Sequence, residues 1–407
     1  TIRKNRITAA STQIDVKTAK AALFPSLSFS TSQQVVNRPY QETSSRVSGS
    51  EIISSNSKTS YNGNYGLNAS WTLYNGNKRL KTIQQEKLNN QVAELDVATS
   101  ENNIQESIAQ VYIQILYAAE SVKVNESTLQ VSIAQRDRGQ ELLNAGSIAK
   151  SDFAQLEAQV STDRYQLVTA QATLEDYKLQ LKQLLELDGE NEMNIYLPAL
   201  SDENVLAPLP TKKDVYISAL SLRPEIEASK LNVEASELGI GIAKSSYLPT
   251  ISLSAGIGTN HTSGSDFTFG EQVKNGWNNS IGLSVSVPIF NNRQTKSAVQ
   301  KAKLQYETSM LSLLDEQKAL YKTIEGLWLD ANSAQQRYAA ANEKLKSTQI
   351  SYELISEQFN LGMKNTIELL TEKNNLLQAQ QEQLQAKYMA ILNMQLLKFY
   401  QGDQLAI

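Results

Sequence analysis

The chain contains the same series of sequence patterns twice. The segment Ala19–Ser30 recurs as Ala243–Ser254, with a proline at the same place in both. The segment Tyr65–Gly76 recurs in the same order as Ile281–Asn292. A duplicated order of segments constrains the fold strongly, because each copy must then form the same structural unit. We interpret the chain as an internal twofold repeat, in which the first copy covers residues 1–190, a connector covers 187–213, and the second copy covers 214–407.

Each copy contains two runs of alternating residues that predict a β-hairpin. After Pro25 the order is Ser-Leu-Ser-Phe-Ser, and after Pro249 it is Thr-Ile-Ser-Leu-Ser-Ala. A period of two predicts strands. We therefore predict hairpins over residues 25–75 and 249–291, with one apolar face and one small, polar face. In the returning strands the predicted apolar face consists of Leu67, Ala69, Trp71 and Leu73, and of Leu283, Val285, Val287 and Ile289.

The alternation alone does not distinguish a half-buried soluble sheet from membrane strands. Each run has about nine to eleven residues, which is enough for a tilted strand to cross a bilayer. Polar segments at 33–62 and 258–279 join the strands, as in the outer loops of outer-membrane barrels. The sequence has no run of about 18 apolar residues, which leaves strands as the candidates for membrane contact. We favour four transmembrane strands per chain, and several chains must share a barrel that four strands cannot close.

Long helices are predicted where proline is absent, over residues 76–144 and 292–360. Each would span roughly 100 Å at 1.5 Å per residue. Apolar residues follow a four-three spacing that is typical of coiled coils. This spacing is carried by Ile104, Ile108, Val111, Ile115, Ala118 and Val122, and again by Leu320, Ile324, Leu327 and Ala331.

Two glycines predict the turns at which these long helices end. Gly146 and Gly362 can each close a helix and let the chain reverse. Further helices are then expected over residues 148–186 and 364–400. Each copy thus ends in a helical hairpin with a glycine at its tip.

Composition excludes several classes of function. With no cysteine and a single histidine, His261, the chain lacks thiolate nucleophiles, cysteine-ligated metal sites and any catalytic group that needs two imidazoles. The formal charge of -4, with both signs interspersed, gives no basic footprint for nucleic acid. A hydrolase that uses only carboxylate side chains is one alternative function, but the sequence contains no Gly-rich phosphate loop or hydrolase motif to support it. The main alternative to a membrane channel is a structural or adhesive coiled-coil scaffold, which leaves the two matched hairpins unexplained.

The order, duplication and spacing of these motifs resemble the TolC-like outer-membrane efflux protein family over essentially the whole chain. The resemblance implies a fold that is mainly α with β, in a homotrimer that shares a twelve-stranded β-barrel in the outer membrane. It implies a long α-helical coiled-coil barrel that forms a periplasmic tunnel, closed at its tip. The implied function is the passive exit duct of a tripartite efflux or type I secretion system, without catalytic activity or a cofactor. The implied partners are a periplasmic adaptor (membrane fusion) protein, through it an inner-membrane transporter, and outer-membrane lipid.

The resemblance also implies a gate at the tip. Two acidic positions form the family's constriction, and they correspond to Glu368 and Thr371 in this sequence. Glu372 lies four residues after Glu368 on the same helical face and can replace the charge that Thr371 lacks. Two such glutamates also occur on ordinary solvated helix faces, and the sequence leaves both interpretations open.

Links between the two hairpins hold the family's closed state. The corresponding pairs here are Asp152 with Phe359 and Ser151 with Lys364. Phe359 has no hydroxyl, and Lys364 lacks the planar fork of arginine, so both links depart from the family pattern.

The start of the chain carries one more expectation. Residues 213–247 predict a helix before the second hairpin that is longer than the segment before Pro25. On this comparison we expect the N-terminus to be trimmed, so that a signal peptide or a lipid-bearing cysteine would lie outside the sequence. We expect the inner-membrane pump to select the cargo.

Overall fold

The computed structural model describes residues 2–40, 44–48, 51–55, 58–187, 195–196 and 205–405. These residues are mostly helical and include a four-stranded antiparallel sheet, which confirms a fold that is mainly α with β. The elements in chain order are α1 (Ile2–Ala21), β1 (Ser26–Asn37), β2 (Ser44–Ser48), β3 (Glu51–Ser55), β4 (Thr59–Asn75), α2 (Lys78–Asn144), α3 (Lys150–Leu184), α4 (Lys212–Leu222), α5 (Pro224–Ser245), β5 (Thr250–Thr262), α6 (Phe269–Asn275), β6 (Asn278–Ser286), α7 (Gln294–Asn360) and α8 (Thr366–Gln401).

The chain divides into two compact units. One contains residues 3–95 and 228–313, and it holds the sheet. The other contains residues 96–227 and 314–407, and it holds the two helical hairpins. No helix in the described ranges has a stretch apolar and long enough to span a membrane.

The four-stranded sheet has the order β1-β4-β5-β6, with all pairs antiparallel. Its register places apolar residues opposite one another across successive strands: Leu27 faces Ala69, Ala69 faces Ala255, and Ala255 faces Ile281. Directly opposed residues lie on the same face of a sheet. The apolar face is therefore continuous across all four strands, and its large side chains are exposed to solvent. These are Leu27, Phe29, Leu67, Trp71, Ile257, Ile281, Leu283 and Val285.

The ends of the strands differ from the sequence prediction in two places. Strand β6 ends at Ser286, shortly before Pro288, which has no N–H for a ladder hydrogen bond. Val287 and Ile289, predicted as strand residues, follow the strand. In β4 a bulge makes Leu73 an extra residue, and Tyr74 takes the pairing position opposite Ile251.

The predicted polar loops are shorter than expected and contain further elements. β1 and β4 extend into the segment 33–62, where β2 and β3 also pair with each other. β5 extends to Thr262, and the short helix α6 lies in the segment 258–279. Backbone pairing continues into these segments although Ser and Asn are more typical of turns than of strands.

The turns from strand to helix place two residues each in the left-handed region. These are Gly76 and Asn77 before α2, and Asn292 and Arg293 before α7, with φ between 51° and 65°. At the first turn the Ser245 hydroxyl donates to the Gly76 carbonyl at 2.8 Å, and a Cβ on Gly76 would lie 2.8 Å from the Ser245 carbonyl oxygen. Both the dihedral angle and the close approach therefore require glycine at 76.

The described residues of the helical unit contain two core clusters, and in one of them α4 and the start of α5 pack with α7 and α8. Val215, Ala219 and Ile226 are fully buried there, together with Leu397. The predicted seam of α7 is part of this core, since Leu320, Ile324 and Ala331 belong to the same cluster. Burial of one apolar stripe supplies most of the stability of such helices.

The segment 213–247, predicted as one helix, is two helices. α4 ends at Leu222, and α5 begins at Pro224. Proline fits the first turn of a helix but not its interior, because it lacks an N–H and its ring contacts the preceding turn. Arg223 therefore lies in extended backbone at the break, with φ -76° and ψ 124°.

Candidate gate at the hairpin tips

The tip turns are alike in the two helical hairpins. At the first tip the Gly146 N–H donates to Leu143 at 3.0 Å, and the Ser147 N–H donates to Leu142 at 2.8 Å. At the second tip Gly362 and Met363 donate to Phe359 and Gln358 at 2.9 and 2.8 Å. This pair of bonds is the Schellman motif, which requires a left-handed residue. Gly146 and Gly362 supply it, with φ of 75° and 74°.

Glu368 caps the N-terminus of α8. The Asn365 side chain accepts from the Glu368 N–H at 2.9 Å, and the Glu368 carboxylate accepts from the Asn365 N–H at 3.1 Å. Lys364 Nζ lies 2.5 Å from the other carboxylate oxygen. The hydrogen bond from Lys364, followed by that from the Asn365 backbone, lowers the pKa of Glu368 below its ordinary value. In a single protomer this carboxylate is thus ionised and partly neutralised.

The other two gate candidates, Thr371 and Glu372, bind partners within their own hairpin. The Thr371 hydroxyl donates to the Ile367 carbonyl at 2.7 Å, within α8. Glu372 accepts from the Ser351 hydroxyl of α7 at 3.1 Å. Glu368 and Glu372 therefore lie on neighbouring turns of α8, but their carboxylates bind different partners.

The structure joins the predicted link residues to other partners. Asp152 accepts from the Ala149 N–H at 3.3 Å, at the start of α3. Phe359 is buried, with 3% of its surface exposed. Lys364 binds Glu368 in its own hairpin, whereas Ser151 is exposed at the start of α3. In this single protomer the described tip residues thus form ion pairs and hydrogen bonds within their own hairpins.

A buried polar cluster joins the two hairpins further from the tips. Lys373 of α8 contacts both Asp163 of α3 and Ser132 of α2. The side chains of Lys373 and Asp163 are 3% and 1% exposed. Gln159 donates to the second oxygen of Asp163 at 2.9 Å. Burial lowers the pKa of Lys373, and the hydrogen bond and charge of Asp163 oppose that shift.

Sequence analysis did not identify this cluster, although its signal was present. Lys373 lies four residues after Leu369 and three before Leu376, which are both buried. Asp163 follows Leu156 and Val160 in the same four-three spacing. Charged residues thus occupy core positions of two coiled-coil seams, where a polar residue fixes register at a cost in stability.

Two further hydrogen bonds join the hairpins, one slightly closer to the tips than this cluster and one further from them. Gln135 of α2 donates to the Tyr352 hydroxyl of α7 at 2.8 Å. The Ser121 hydroxyl of α2 donates to Gln381 of α8 at 3.0 Å. Among the described residues, no group of three histidine, aspartate or glutamate side chains is placed to hold a metal ion.

A second buried charge lies at the break between α4 and α5. The Arg223 guanidinium lies 2.9 Å from Glu106 and 2.8 Å from Glu225. Its central carbon lies 4.1 Å from the centre of the Tyr400 ring. Burial by itself lowers the pKa of Arg223, but Glu225, Tyr400 and Glu106 together raise it above its ordinary value. Burial, followed by the charge of Glu106, raises the pKa of Tyr400 to about 12.

Comparison with known proteins gives consistent matches. The model of the family described as "Outer membrane efflux protein" matches residues 1–186 and 215–402. Outer membrane efflux protein BepC of Brucella suis is 24% identical over 290 residues, which are 71% of this chain and 60% of BepC. Outer membrane protein TolC of Escherichia coli is 23% identical over 311 residues, or 74% of this chain and 62% of TolC. The matched segments thus span about three fifths of these relatives.

Solved structures show the same fold. A crystal structure of CusC superposes with a TM-score of 0.82 at 19% identity and covers 99% of this chain and 89% of that chain. At this level of identity the likeness is one of fold.

Proposed function

Because this chain belongs to the outer membrane efflux protein family, we propose that it forms the outer-membrane exit duct of a tripartite efflux or type I secretion system. Members of the family are outer membrane channels and not enzymes. In this proposal the chain is a passive conduit. A periplasmic adaptor docks on it and connects it to an inner-membrane transporter, which selects the cargo.

The four-stranded sheet carries the proposal. Its apolar face is continuous and exposed, as a surface in contact with lipid would be. Its outer strands, β1 and β6, each have one edge that is unpaired in the sheet of a single chain. Unpaired backbone groups in hydrocarbon cost several kcal/mol each, so lipid requires a closed barrel. Three copies supply twelve strands, an even number as in bacterial outer-membrane barrels.

The twofold repeat is part of the same proposal. The described elements support it, because each copy contains strands followed by a helix of 67 residues and then one of 35 or 36 residues. The proposed copies are residues 1–190 and 214–407, with the connector 187–213 between them. In the trimer the long helices would form the periplasmic tunnel, and the hairpin tips would form its closed end.

We place the gate at Glu368 and Glu372. Three protomers would bring three copies of each carboxylate around one axis, where like charges favour cations. Lys364 already neutralises Glu368 within one protomer. The net charge of this carboxylate ring would therefore depend on Glu372 and on whether Lys364 stays paired with Glu368 when the adaptor docks. The links proposed between Ser151 and Lys364, and between Asp152 and Phe359, would belong to the assembled tip.

The assembly is tested in detergent. Native mass spectrometry of the purified protein should show a trimer, and planar bilayers containing it should conduct ions. A stable monomer that dissolves without detergent would contradict the channel and favour the coiled-coil scaffold.

The gate is tested by substitution. Glu368→Gln with Glu372→Gln should reduce cation selectivity and block by divalent cations in bilayer recordings, because the ring would lose its charge. The matched control is Glu353→Gln, which removes an exposed carboxylate of α7 that accepts from Gln349 in the adjacent turn. Unchanged selectivity in the double variant would place the constriction elsewhere.

A further inference from the structure

The hydrogen bonds between the two helical hairpins end at one level. Ser132, Asp163 and Lys373 form the buried polar cluster that joins α2, α3 and α8. Near this level Gln135 also binds Tyr352, one turn closer to the tip. Gln159 of α3 also donates to Asn374 of α8 at 3.4 Å. Closer to the tip, Lys364 pairs with Glu368, Asp152 with Ala149 and Thr371 with Ile367, each within one hairpin.

The contacts on the two sides of this level differ in strength. Lys364 and Glu368, which are 34% and 39% exposed, lie in the same hairpin, so their pair does not resist separation of the two hairpins. Lys373 and Asp163 are almost fully buried, and removal of one partner would leave an uncompensated charge in the core. Separation of the hairpins through the cluster is therefore far more costly than separation at the tips.

Polar residues at core positions also prevent sliding. Lys373 replaces an apolar residue in the seam of α8, and Asp163 does so in the seam of α3. A shift of either helix by one turn would place a charge opposite leucine or valine. Such a pair fixes one axial register, as a buried polar residue does in coiled coils.

We propose that the buried polar cluster is the pivot of the tip. Residues 136–158 and 353–372 move apart on its tip side, while the hairpins stay joined at the cluster, at the neighbouring bonds from Gln135 and Gln159, and beyond them. This deepens the proposed channel function, since it states which part of each protomer moves when the duct opens. The pivot itself is a property of the folded chain and can be measured without transport.

Hydrogen exchange followed by mass spectrometry of the purified protein measures the pivot. Amides of 136–158 and 353–372 should exchange faster than those of 110–131 and 374–390, with a step at the cluster. Lys373→Met should move that step towards Ser121 and Gln381, the next contact between the hairpins. Exchange on the tip side should rise by about 100-fold or more, because Asp163 loses its partner in the core.

Two further variants make the result specific. Lys344→Met is the matched control, since it removes an exposed lysine whose partner Glu382 lies in the same hairpin, and it should leave the step in place. Asp163→Leu combined with Lys373→Met should restore most of the protection, because apolar residues can replace a buried pair.

Two outcomes would overturn the pivot. One is wild-type protein with no step in exchange at the cluster. The other is Lys373→Met protein whose exchange rises equally on both sides, as a general loss of stability would cause. Bilayer recordings of the same variants then separate the two proposals, because absence of conductance contradicts the channel function while a step in exchange still supports the pivot.

Discussion

Replacement of Arg223 by methionine should be among the most destabilising single changes in the helical unit. The side chain is 6% exposed, and it is the shared cation of Glu106 and Glu225, which are themselves 19% and 20% exposed. One oxygen of Glu225 already lacks a hydrogen-bond partner. Removal of one member of a buried ionic group typically costs about 3 to 5 kcal/mol, and the lost contact with the Tyr400 ring adds to this.

The assay is thermal unfolding of the helical circular dichroism signal in detergent. For a unit of this size, a loss of about 3 to 5 kcal/mol should lower Tm by roughly 6 to 20 °C. Arg223→Lys keeps the charge but loses the two-pronged geometry, so it should cost about 1 to 3 kcal/mol. Arg136→Met is the control, because its pair with Asp137 is 35% and 63% exposed and should contribute about 1 kcal/mol at most.

A rescue experiment tests the reasoning itself. If unpaired carboxylates cause the loss, then Glu106→Gln with Glu225→Gln should recover part of the stability of Arg223→Met. Two results would contradict this explanation: a cost of Arg223→Met no larger than that of Arg136→Met, or no recovery of stability with the glutamine substitutions.

Three further predictions concern glycine packing, lipid exposure and pH. Gly326→Ala should stabilise its helix by up to about 1 kcal/mol, because a Cβ there meets nothing within 4 Å. Gly139→Ala should be about 1 to 3 kcal/mol less favourable, because its Cβ would lie 2.3 Å from a buried leucine methyl group. Chemical denaturation of the two variants measures the difference. Leu283→Arg should destabilise barrel assembly by about 2 to 4 kcal/mol if the residue lies near the bilayer midplane. Ser284→Arg, on the opposite face, should reduce the trimer yield less, and equal trimer yields would show that the faces are misassigned. Because the pKa of Glu368 is lowered in the folded state, its ionised carboxylate should stabilise the fold at neutral pH, and this contribution should be lost as the pH falls through that pKa. Glu368→Gln should therefore match the Tm of wild type at acidic pH and have a lower Tm at pH 7. Parallel curves of Tm against pH would contradict this.

Local patterns in the sequence predicted most of the elements. Alternation after Pro25 and Pro249 predicted strands that the structure contains, because the side-chain period of a strand is visible in a few residues. Gly146 and Gly362 follow the observed ends of α2 and α7, at Asn144 and Asn360, since a left-handed residue there is a local requirement.

Features that depend on distant residues were not predictable. The pair of Asp163 and Lys373 joins residues 210 positions apart, and sequence shows only two charged residues on long polar helices. The separate helices α4 and α5 were missed although Pro224 marks the break, because the apolar spacing continues across it. The pairing of Lys364 with Glu368 is local, yet the family pattern directed attention to Ser151 instead.

The two open edges of the sheet make the stability of the protein depend on association between chains. If β1 of one chain pairs with β6 of another, each chain completes its backbone hydrogen bonding only through its neighbours. Folding of the sheet and association are then one equilibrium, governed by mass action. A tenfold dilution would weaken a trimer by about 2.8 kcal/mol, since each of two association steps changes by about 1.4 kcal/mol. The melting temperature would then depend on concentration, and a dilute preparation would lose its membrane sheet first.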